Sequence, residues 1–168
     1  MIVAVFDIES TGLLPQVLYG NGKMHCVCFQ GLTSGRELGP KYTFIEDDLY
    51  SDPWYPLKEY MNSIDTLIGH GIIAFDLPLL RLKYGYEYPG QVIDTLVISR
   101  KNFPDRPGMH SVEAWGPRIG MAKMPIDDWT EGNIEDIIKR GESDVQMETK
   151  IYFEVMKEVS RNTERCAA

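Results

Sequence analysis

Several features are scarce in this 168-residue sequence, and each absence narrows the range of functions. No apolar run approaches the roughly 20 residues that a helix needs to cross a bilayer, so a membrane-spanning protein is not expected. The opening string MIVAVFDIES lacks the basic region and the small-residue cleavage site of a secretory signal. The sequence therefore predicts a protein that stays in the cytoplasm of the cell that makes it and is not secreted.

Cysteine and positive charge are also in short supply. Cys26, Cys28 and Cys166 are an odd number of cysteines, which favours free thiols over a disulfide framework. The first two lie in the alternating run HCVCF, which is typical of a core strand, and no second Cys/His pair completes a zinc knuckle. Seventeen Lys and Arg against 25 Asp and Glu give a net charge of −8, which argues against a processive protein that alone grips long nucleic acid. A few terminal nucleotides can still be held if metal ions neutralise their phosphates.

What remains is an ordinary globular composition, 43% apolar, in a chain long enough for one substantial core. Three β-like runs are followed by alternating helices and strands, which predicts one α/β domain over residues 1–160 with a mixed central sheet flanked by helices. The predicted strands are 1–9, 23–31, 41–46 and 65–69, the second and third being antiparallel partners of the first.

The predicted helices are 54–61, 75–83, 110–119, 133–140 and 142–159. Residues 91–99 mix strand and helix signals, and a helix is expected from Asp94. The Pro/Gly-rich residues 102–109 are the best candidate for a mobile loop, and residues 161–168 for a frayed tail.

Two carboxylates stand at the end of the first predicted strand. Side chains two residues apart point to the same side of a strand, so Asp7 and Glu9 leave one face together, close enough to repel each other. Such a pair near a core is costly unless a cation lies between the two groups. Taken alone, the pattern also fits a solvated strand end.

Two further acids, Asp76 and Asp144, each stand near the start of a predicted helix. Alone, Asp76 is equally well an N-cap or first-turn residue, and Asp144 a surface acid. Together the four acids supply the oxygen ligands that Mg²⁺ or Mn²⁺ prefers, and a pair of such ions can activate water and stabilise the leaving oxygen in phosphodiester cleavage.

The order of these motifs resembles a known superfamily. The string DIESTGL, the string GHGIIAFDLPLL, and an Asp that precedes a long amphipathic helix are arranged as in the DEDD superfamily of 3′–5′ exonucleases. The segments VIDTLVISR and HSVEAWGPRIG narrow the resemblance to the proofreading exonuclease domain of phage-type family A DNA polymerases. The resemblance extends over residues 1–159.

This resemblance implies a ribonuclease H-like fold, two divalent metal ions and hydrolysis at a single-stranded or frayed 3′ end of DNA, with RNA as an alternative. It also implies a role in DNA replication or proofreading. No polymerase portion follows in the sequence, so we expect a free-standing exonuclease domain whose polymerase partner would be a separate subunit.

The resemblance assigns the four acids to metal binding and catalysis. Asp7 would bridge both ions, and Glu9 would bind the ion that activates water. Asp76 would act mainly at the second ion, and Asp144 matches the remaining metal-binding acid. The residues expected at the substrate are Thr11, Leu13, His70, Phe75 and His110.

Each of the substrate assignments has its own basis. Thr11 would hydrogen-bond the terminal nucleotide and Leu13 would pack on its base. Phe75 either supports the substrate or is a core aromatic. His110 either reaches the attacking water or, like Glu113 beside it, caps a helix or contacts Arg100 or Arg118.

The sequence departs from the superfamily at two points. The Tyr four residues before the last Asp, or the His five before it, is replaced here by Arg140 or Lys139, and neither cation is a plausible base at neutral pH. The Asn five residues before the second-motif Asp is replaced by Gly71, for which His70 is either a substitute or a structural residue. If Arg140 points into the carboxylates, it could take a metal position as an internal counter-ion.

Three hypotheses follow. The first is a metal-dependent exonuclease, made slow by the missing base, since losing a general base typically costs about 10²–10⁴ in rate. The second is a weakened nuclease-fold module that binds nucleic acid or a polymerase partner. The third, an acidic decoy for a host protein's nucleic-acid groove, is allowed by the net charge of −8 alone.

Overall fold

The structure, a computed structural model, describes residues 1–33, 38–46, 55–130 and 133–167. The strands in these ranges are β1 Val3–Thr11, β2 Lys23–Leu32, β3 Leu38–Ile45, β4 Thr66–Gly69 and β5 Gln91–Asp94. The helices are α1 Leu14–Tyr19, α2 Tyr55–Asn62, α3 Asp76–Tyr84, α4 Thr95–Asn102, α5 Val112–Ile119 and α6 Ile134–Ala167. No helix in this part of the chain is both long enough and apolar enough to cross a membrane.

The strands form one mixed sheet in the order β3-β2-β1-β4-β5. β1 pairs antiparallel with β2 and parallel with β4, and β4 pairs parallel with β5. The predicted mixed α/β architecture is confirmed. The prediction that both early runs pair with the first strand is wrong for β3, which pairs with β2. β2 pairs with one edge of β1 and β4 pairs with the other, so β3 pairs with the free edge of β2. The parallel pairing of β1 with β4 requires a longer crossover connection, which contains α2.

The sheet separates two packed cores. On one face Phe6 and Ile8 of β1 pack with residues of α1, α2 and α3. On the other face Val5 of β1 packs with Ile137 and Val145 of α6. Because side chains alternate along a strand, Asp7 and Glu9 share the face of Val5 and point toward α6.

Cys26 and Cys28 lie in β2 on this same α6 face, where both are buried free thiols. This confirms that the HCVCF run is a core strand. The backbone register between β1 and β2 shifts between Glu9 and Ser10, which leaves His25 as the extra residue on β2.

A single helix, α6, replaces the two helices predicted on either side of Gly141. A Cβ at Gly141 would lie 2.6 Å from the Cys28 Sγ atom and 3.1 Å from the Cγ atom of Glu9. Because Gly141 has no side chain, α6 can lie close against β1 and β2 at this point. The helix continues through Gly141 even though glycine disfavours helices by about 1 kcal/mol relative to alanine. The helix continues through residues 161–167, where the sequence predicts fraying.

The segment around Asp94 joins a strand to a helix, which resolves its mixed signals. β5 ends at Asp94, and the side chain of this residue caps α4 by accepting hydrogen bonds from the amides of Leu96 and Val97. The same carboxylate accepts from the amides of Gly71 and Ile73, so it also fixes the turn after β4.

Other boundaries shift by a residue or two. α5 begins at Val112, after Ser111 caps it through Ala114, so His110 lies outside the helix. The predicted helix 54–61 corresponds to α2, but Trp54 lies outside the described residues. α1, shortly after Gly12, is not among the predicted helices.

The loop between α4 and α5 is anchored. Arg106 pairs with Glu158 of α6, and its guanidinium lies 4.3 Å from the ring centre of Trp115. The candidate mobile loop is thus tied to α6 and α5 by a mostly buried arginine.

Candidate metal centre

Three carboxylates meet between the sheet and α6. Asp7 and Glu9 reach this position from β1 and Asp144 from α6, and one oxygen of each lies within 4.8 Å of the others. Asp7 is partly exposed, whereas Glu9 and Asp144 are buried. Strand alternation on one side and the close approach at Gly141 on the other bring these groups together.

Asp76 lies beside this cluster. It is the first residue of α3, and its Oδ1 atom accepts a 3.0 Å hydrogen bond from the backbone amide of Ile8, which lies between Asp7 and Glu9. Among the described residues Asp76 is not part of the three-carboxylate group, but it is close enough for the charge of Asp7 to act on it. We refer to Asp7, Glu9, Asp76 and Asp144 as the carboxylate site.

A fifth acid, Glu148, stands one helical turn after Asp144 and is also buried. Burial, followed by the charges of Asp7, Asp76 and Asp144, raises its pKa well above the ordinary value. Sequence reasoning missed it. The spacing of four residues places it on the same side of α6 as Asp144, and that periodicity was the available signal.

Burial and mutual repulsion favour the neutral form of these acids. Burial first, and then the neighbouring Asp144, raise the pKa of Asp7 to about 6. Burial first, and then Asp7 and Asp144, raise the pKa of Glu9 to about 8. Burial first, and then Asp7, raise the pKa of Asp76 well above its ordinary value. Such shifts mark a group of carboxylates that a cation would return to the charged form.

The donor set fits a hard divalent cation. Two buried oxygens of the site, Oδ1 of Asp144 and Oε2 of Glu148, have no hydrogen-bond partner among the described residues, and Oε1 of Glu9 has only an ion pair with Arg140. Buried polar atoms are usually satisfied, so these oxygens indicate room for a ligand that supplies positive charge. Carboxylate oxygens from separate chain segments are the ligands that Mg²⁺ uses.

Two cations of the chain itself already lie against the cluster. The Lys123 Nζ atom is 2.8 Å from Oδ2 of Asp144. The Arg140 Nε atom is 3.4 Å from Oε1 of Glu9 and 3.9 Å from Oδ2 of Asp144. Burial disfavours the charged form of Lys123, but Asp144 outweighs it, and the pKa of Lys123 lies above its ordinary value.

Arg140 thus points into the carboxylates, whereas Lys139 faces solvent and pairs with Asp136. Sequence reasoning missed Lys123, because it lies in an irregular segment where no helical or strand spacing relates it to Asp144.

Thr11, Leu13 and Phe75 lie around the end of β1. The Thr11 hydroxyl is 2.7 Å from Nε2 of His25, the bulged residue of β2. Leu13, the residue before α1, is 70% exposed and presents an apolar surface to solvent. Phe75 is partly buried against the core that lies behind α3, as the core interpretation expects.

Two aromatic residues that the sequence did not single out join this region. The ring of Trp129 lies 5.8 Å from the ring of His25 and 5.2 Å from the Arg140 guanidinium. Neither residue carries a sequence signal, since one sits at a register shift and the other in an irregular segment.

His70 and His110 belong to one chain of polar contacts. Nε2 of His70 donates to the carbonyl of His110, and Nδ1 lies 2.8 Å from the Thr95 hydroxyl. Nδ1 of His110 lies 2.8 Å from the hydroxyl of Ser99. Burial lowers the pKa of His70 to about 4, so its ring is neutral. Both His70 nitrogens are therefore engaged within the fold, and Gly71, with φ of 89°, lies in the turn after β4.

No protein-family model and no curated protein matches this sequence. Solved structures do match. Brucella melitensis NrnC with bound Mg²⁺ is 18% identical with a TM-score of 0.58, over 96% of this chain and 75% of that one. E. coli Exonuclease I in complex with a dT13 oligonucleotide is 11% identical with a TM-score of 0.67, over 98% of this chain and 43% of that one.

A third match is the family B DNA polymerase from the hyperthermophilic archaeon Pyrobaculum calidifontis, which is 12% identical with a TM-score of 0.63. It covers 92% of this chain and 24% of the polymerase. The shared fold confirms the ribonuclease H-like architecture predicted from the sequence.

Proposed function

We propose that this protein is a metal-dependent 3′–5′ exonuclease that hydrolyses phosphodiester bonds at the end of a single nucleic-acid strand. The observation that carries the proposal is the meeting of Asp7, Glu9 and Asp144 beside Asp76, where Oδ1 of Asp144 is buried without a hydrogen-bond partner among the described residues. Four carboxylates on this fold have a chemical purpose that neither a solvated strand end nor an N-cap explains.

The residues divide the work as follows. Asp7, Glu9 and Asp144 would hold one divalent ion, and Asp7 with the neighbouring Asp76 would hold a second. Bound there, Mg²⁺ or Mn²⁺ supplies an activated water and stabilises the leaving oxygen. The Ile8 amide orients Asp76 through its hydrogen bond. Thr11, held by His25, and the exposed Leu13 receive the terminal nucleotide.

The positions that would carry the Tyr or His base hold cations here. Lys139 faces solvent and pairs with Asp136, and a guanidinium such as that of Arg140 does not act as a general base. A missing base costs about 10²–10⁴ in rate, whereas loss of the metal ions removes the chemistry. We therefore expect slow hydrolysis that depends fully on added metal.

The segments VIDTLVISR and HSVEAWGPRIG are the basis for proposing a phage-type, family A proofreading exonuclease that acts on DNA with a separate polymerase partner. The similar structures support a single-strand substrate, because Exonuclease I is described with dT13 and NrnC with pGG. The net charge of −8 favours a grip on few nucleotides.

One experiment tests this function. Single-stranded DNA and RNA of the same sequence, labelled at the 5′ end, are incubated with the protein and Mg²⁺ or Mn²⁺. We expect a ladder of products shortened from the 3′ end, which disappears with EDTA and with Asp7→Ala but persists with Asp105→Asn, an exposed acid in the loop after α4. An oligonucleotide with a blocked 3′ terminus should resist, and cleavage of that blocked strand would contradict the polarity.

A second candidate is a binding module without turnover, and the contacts of Lys123 and Arg140 with the carboxylates favour it. It predicts that the protein retains the labelled strand in a gel-shift assay and leaves its length unchanged. The absence of shortening at any metal concentration, in a protein that still binds Mn²⁺, would select this candidate over the enzyme.

A further inference from the structure

The segment that precedes α6 lies against the carboxylate site. We call residues 121–130 the strap. The strap supplies Lys123, whose ammonium contacts Asp144 at 2.8 Å, and the carbonyl of Met124, which accepts a 2.8 Å hydrogen bond from a terminal nitrogen of Arg140. It also supplies Trp129, whose ring lies 5.2 Å from the same guanidinium. Arg140 is thus bound to the strap on one side and to the carboxylates on the other.

We propose that Lys123 and Arg140 are resident counter-ions of the carboxylate site, so that a divalent ion binds in competition with them and loosens the strap they hold. The proposal concerns how the site accepts metal and rests on the proposed function only for the biological purpose of that metal. The affinity of the site for a divalent ion then depends on how strongly Lys123 and Arg140 bind the same carboxylates.

Contact geometry makes the competition direct. Oε1 of Glu9 faces the Nε atom of Arg140, and Oδ2 of Asp144 faces both cations. These two acids are two of the three that come together as a metal cluster. A divalent ion bound there either displaces the ammonium and guanidinium or lies close to both of them.

Burial makes the competition strong. The carboxylates of Glu9 and Asp144 are buried, and the side chain of Arg140 is only 15% exposed. Charges screened this little by water interact several times more strongly than charges on the surface. Lys123, 32% exposed, has the open route to solvent and can leave first.

The same contacts bear on the strap. Apart from Ile126 and Trp129, which pack at the edge of the α6 core, its links to the site are those made by Lys123 and Arg140 among the described residues. Displacement of the cations therefore removes the polar links between the strap and the carboxylates, while its apolar contacts and the hydrogen bonds at its two ends, to Gly116 and Asn133, remain. A bound ion should change the surroundings of Trp129.

Mn²⁺ affinity is the test, measured by calorimetry or by the EPR signal of free Mn²⁺ without any substrate. The variants are Lys123→Gln and Arg140→Gln, with Lys123→Arg and Arg140→Lys as partners that keep the charge. Lys139→Gln, an exposed lysine that neighbours Arg140 on α6, is the matched control. We expect each Gln variant to bind Mn²⁺ about tenfold or more tightly, because one opposing charge a few ångströms away is removed.

The charge-keeping variants and Lys139→Gln should bind as the unaltered protein does. Unchanged or weaker Mn²⁺ binding in both Gln variants would overturn the proposal. So would the same tightening in Lys139→Gln, which would reduce the effect to general net charge.

Thermal unfolding gives a second measure that is independent of affinity. Without metal, the Gln variants leave buried carboxylates unpaired and should melt below the unaltered protein. With saturating Mn²⁺ their melting temperatures should rise more than that of the unaltered protein. An equal rise in all variants would contradict the competition even if a Gln variant folds poorly without metal.

The outcomes separate this proposal from the proposed function. If the Gln variants bind Mn²⁺ more tightly but no variant shortens the strand, the counter-ion proposal is supported and the exonuclease proposal is contradicted. If the strand is shortened in the presence of metal but all variants bind Mn²⁺ equally, the exonuclease proposal is supported and the counter-ion proposal is contradicted. If no variant binds Mn²⁺ at millimolar concentration, both proposals are contradicted.

Discussion

The position of Asp7 in the carboxylate site predicts that the metal-free protein loses stability as the pH rises. The folded state holds the Asp7 proton up to a pKa of about 6, because the partial burial of this carboxyl and the neighbouring Asp144 disfavour the charge, whereas its ordinary pKa is 3.8. The folded state therefore binds more protons than the unfolded state over this interval, and its free energy of unfolding falls with rising pH. Below the lower value both states are protonated and the penalty vanishes.

The size of the effect follows from the shift. At about 1.4 kcal/mol per pKa unit, Asp7 costs the fold about 3 kcal/mol by pH 7. Glu9, whose pKa is about 8, extends the loss to higher pH. For a chain of this length, 3 kcal/mol corresponds to a melting temperature lower by about 6–12 °C. Asp7→Asn mimics the protonated acid and should remove this part of the pH dependence.

The assay is urea denaturation in EDTA from pH 4.5 to 8, for the unaltered protein, Asp7→Asn and the exposed control Asp105→Asn. We expect the stability difference between Asp7→Asn and the unaltered protein to grow by about 3 kcal/mol across the range, in favour of the variant. Saturating Mg²⁺ should reverse the sign, since only the carboxylate binds the ion. A difference that stays constant with pH, or equals that of Asp105→Asn, would refute the burial argument.

Two further predictions concern the parts that position the site. Gly141→Ala should cost about 1–2 kcal/mol, because overpacking against the Cys28 Sγ atom, 2.6 Å from the new Cβ, outweighs the helical gain of alanine. The same change in a Cys28→Ala background should cost less, since the only tight contact that remains is the one of 3.1 Å with the Cγ atom of Glu9. Equal losses in both backgrounds, measured by urea denaturation, would show that the clash with the Sγ atom is not the cause. Asp94→Ala should cost at least about 2 kcal/mol, because four backbone amides, two of them in the turn after β4, lose their acceptor. Asp94→Asn should lose less, since one oxygen can still accept, and chemical denaturation of the two variants together checks this ranking.

The acids of the site were visible in the sequence because their positions follow simple rules. Strand alternation relates Asp7 to Glu9, and the structure places both on the α6 face. The order of the motifs related Asp76 and Asp144 to them, and the structure brings Asp144 into contact and Asp76 alongside. Local periodicity and motif order were sufficient for these four residues.

The cations and aromatic residues of the site were not visible, for a physical reason. Lys123 and Trp129 come from an irregular segment, where spacing along the chain says nothing about direction in space. His25 reaches Thr11 because the register shifts after Glu9, and a bulge leaves no mark on the alternation of one strand. These contacts depend on tertiary packing alone.

The fold was predictable as a class but not in its pairing or in one boundary. Hydrophobic runs identified the strands, but they do not say that β3 pairs with β2 while β4 takes the second edge of β1. The low helix propensity of glycine predicted a helix break at Gly141, because propensity takes no account of tertiary contacts. In the structure the helix continues, and Gly141 packs so closely on Cys28 that a larger residue would not fit.

Gly141 also bears on the position of the last acid. It stands three residues before Asp144, and the contact it permits with Glu9 and Cys28 is a requirement of shape, independent of which residue prepares the water. A glycine inside an otherwise uninterrupted helical pattern, followed three residues later by Asp, thus marks in this chain the point where α6 comes close enough to β1 for its acid to meet Asp7 and Glu9.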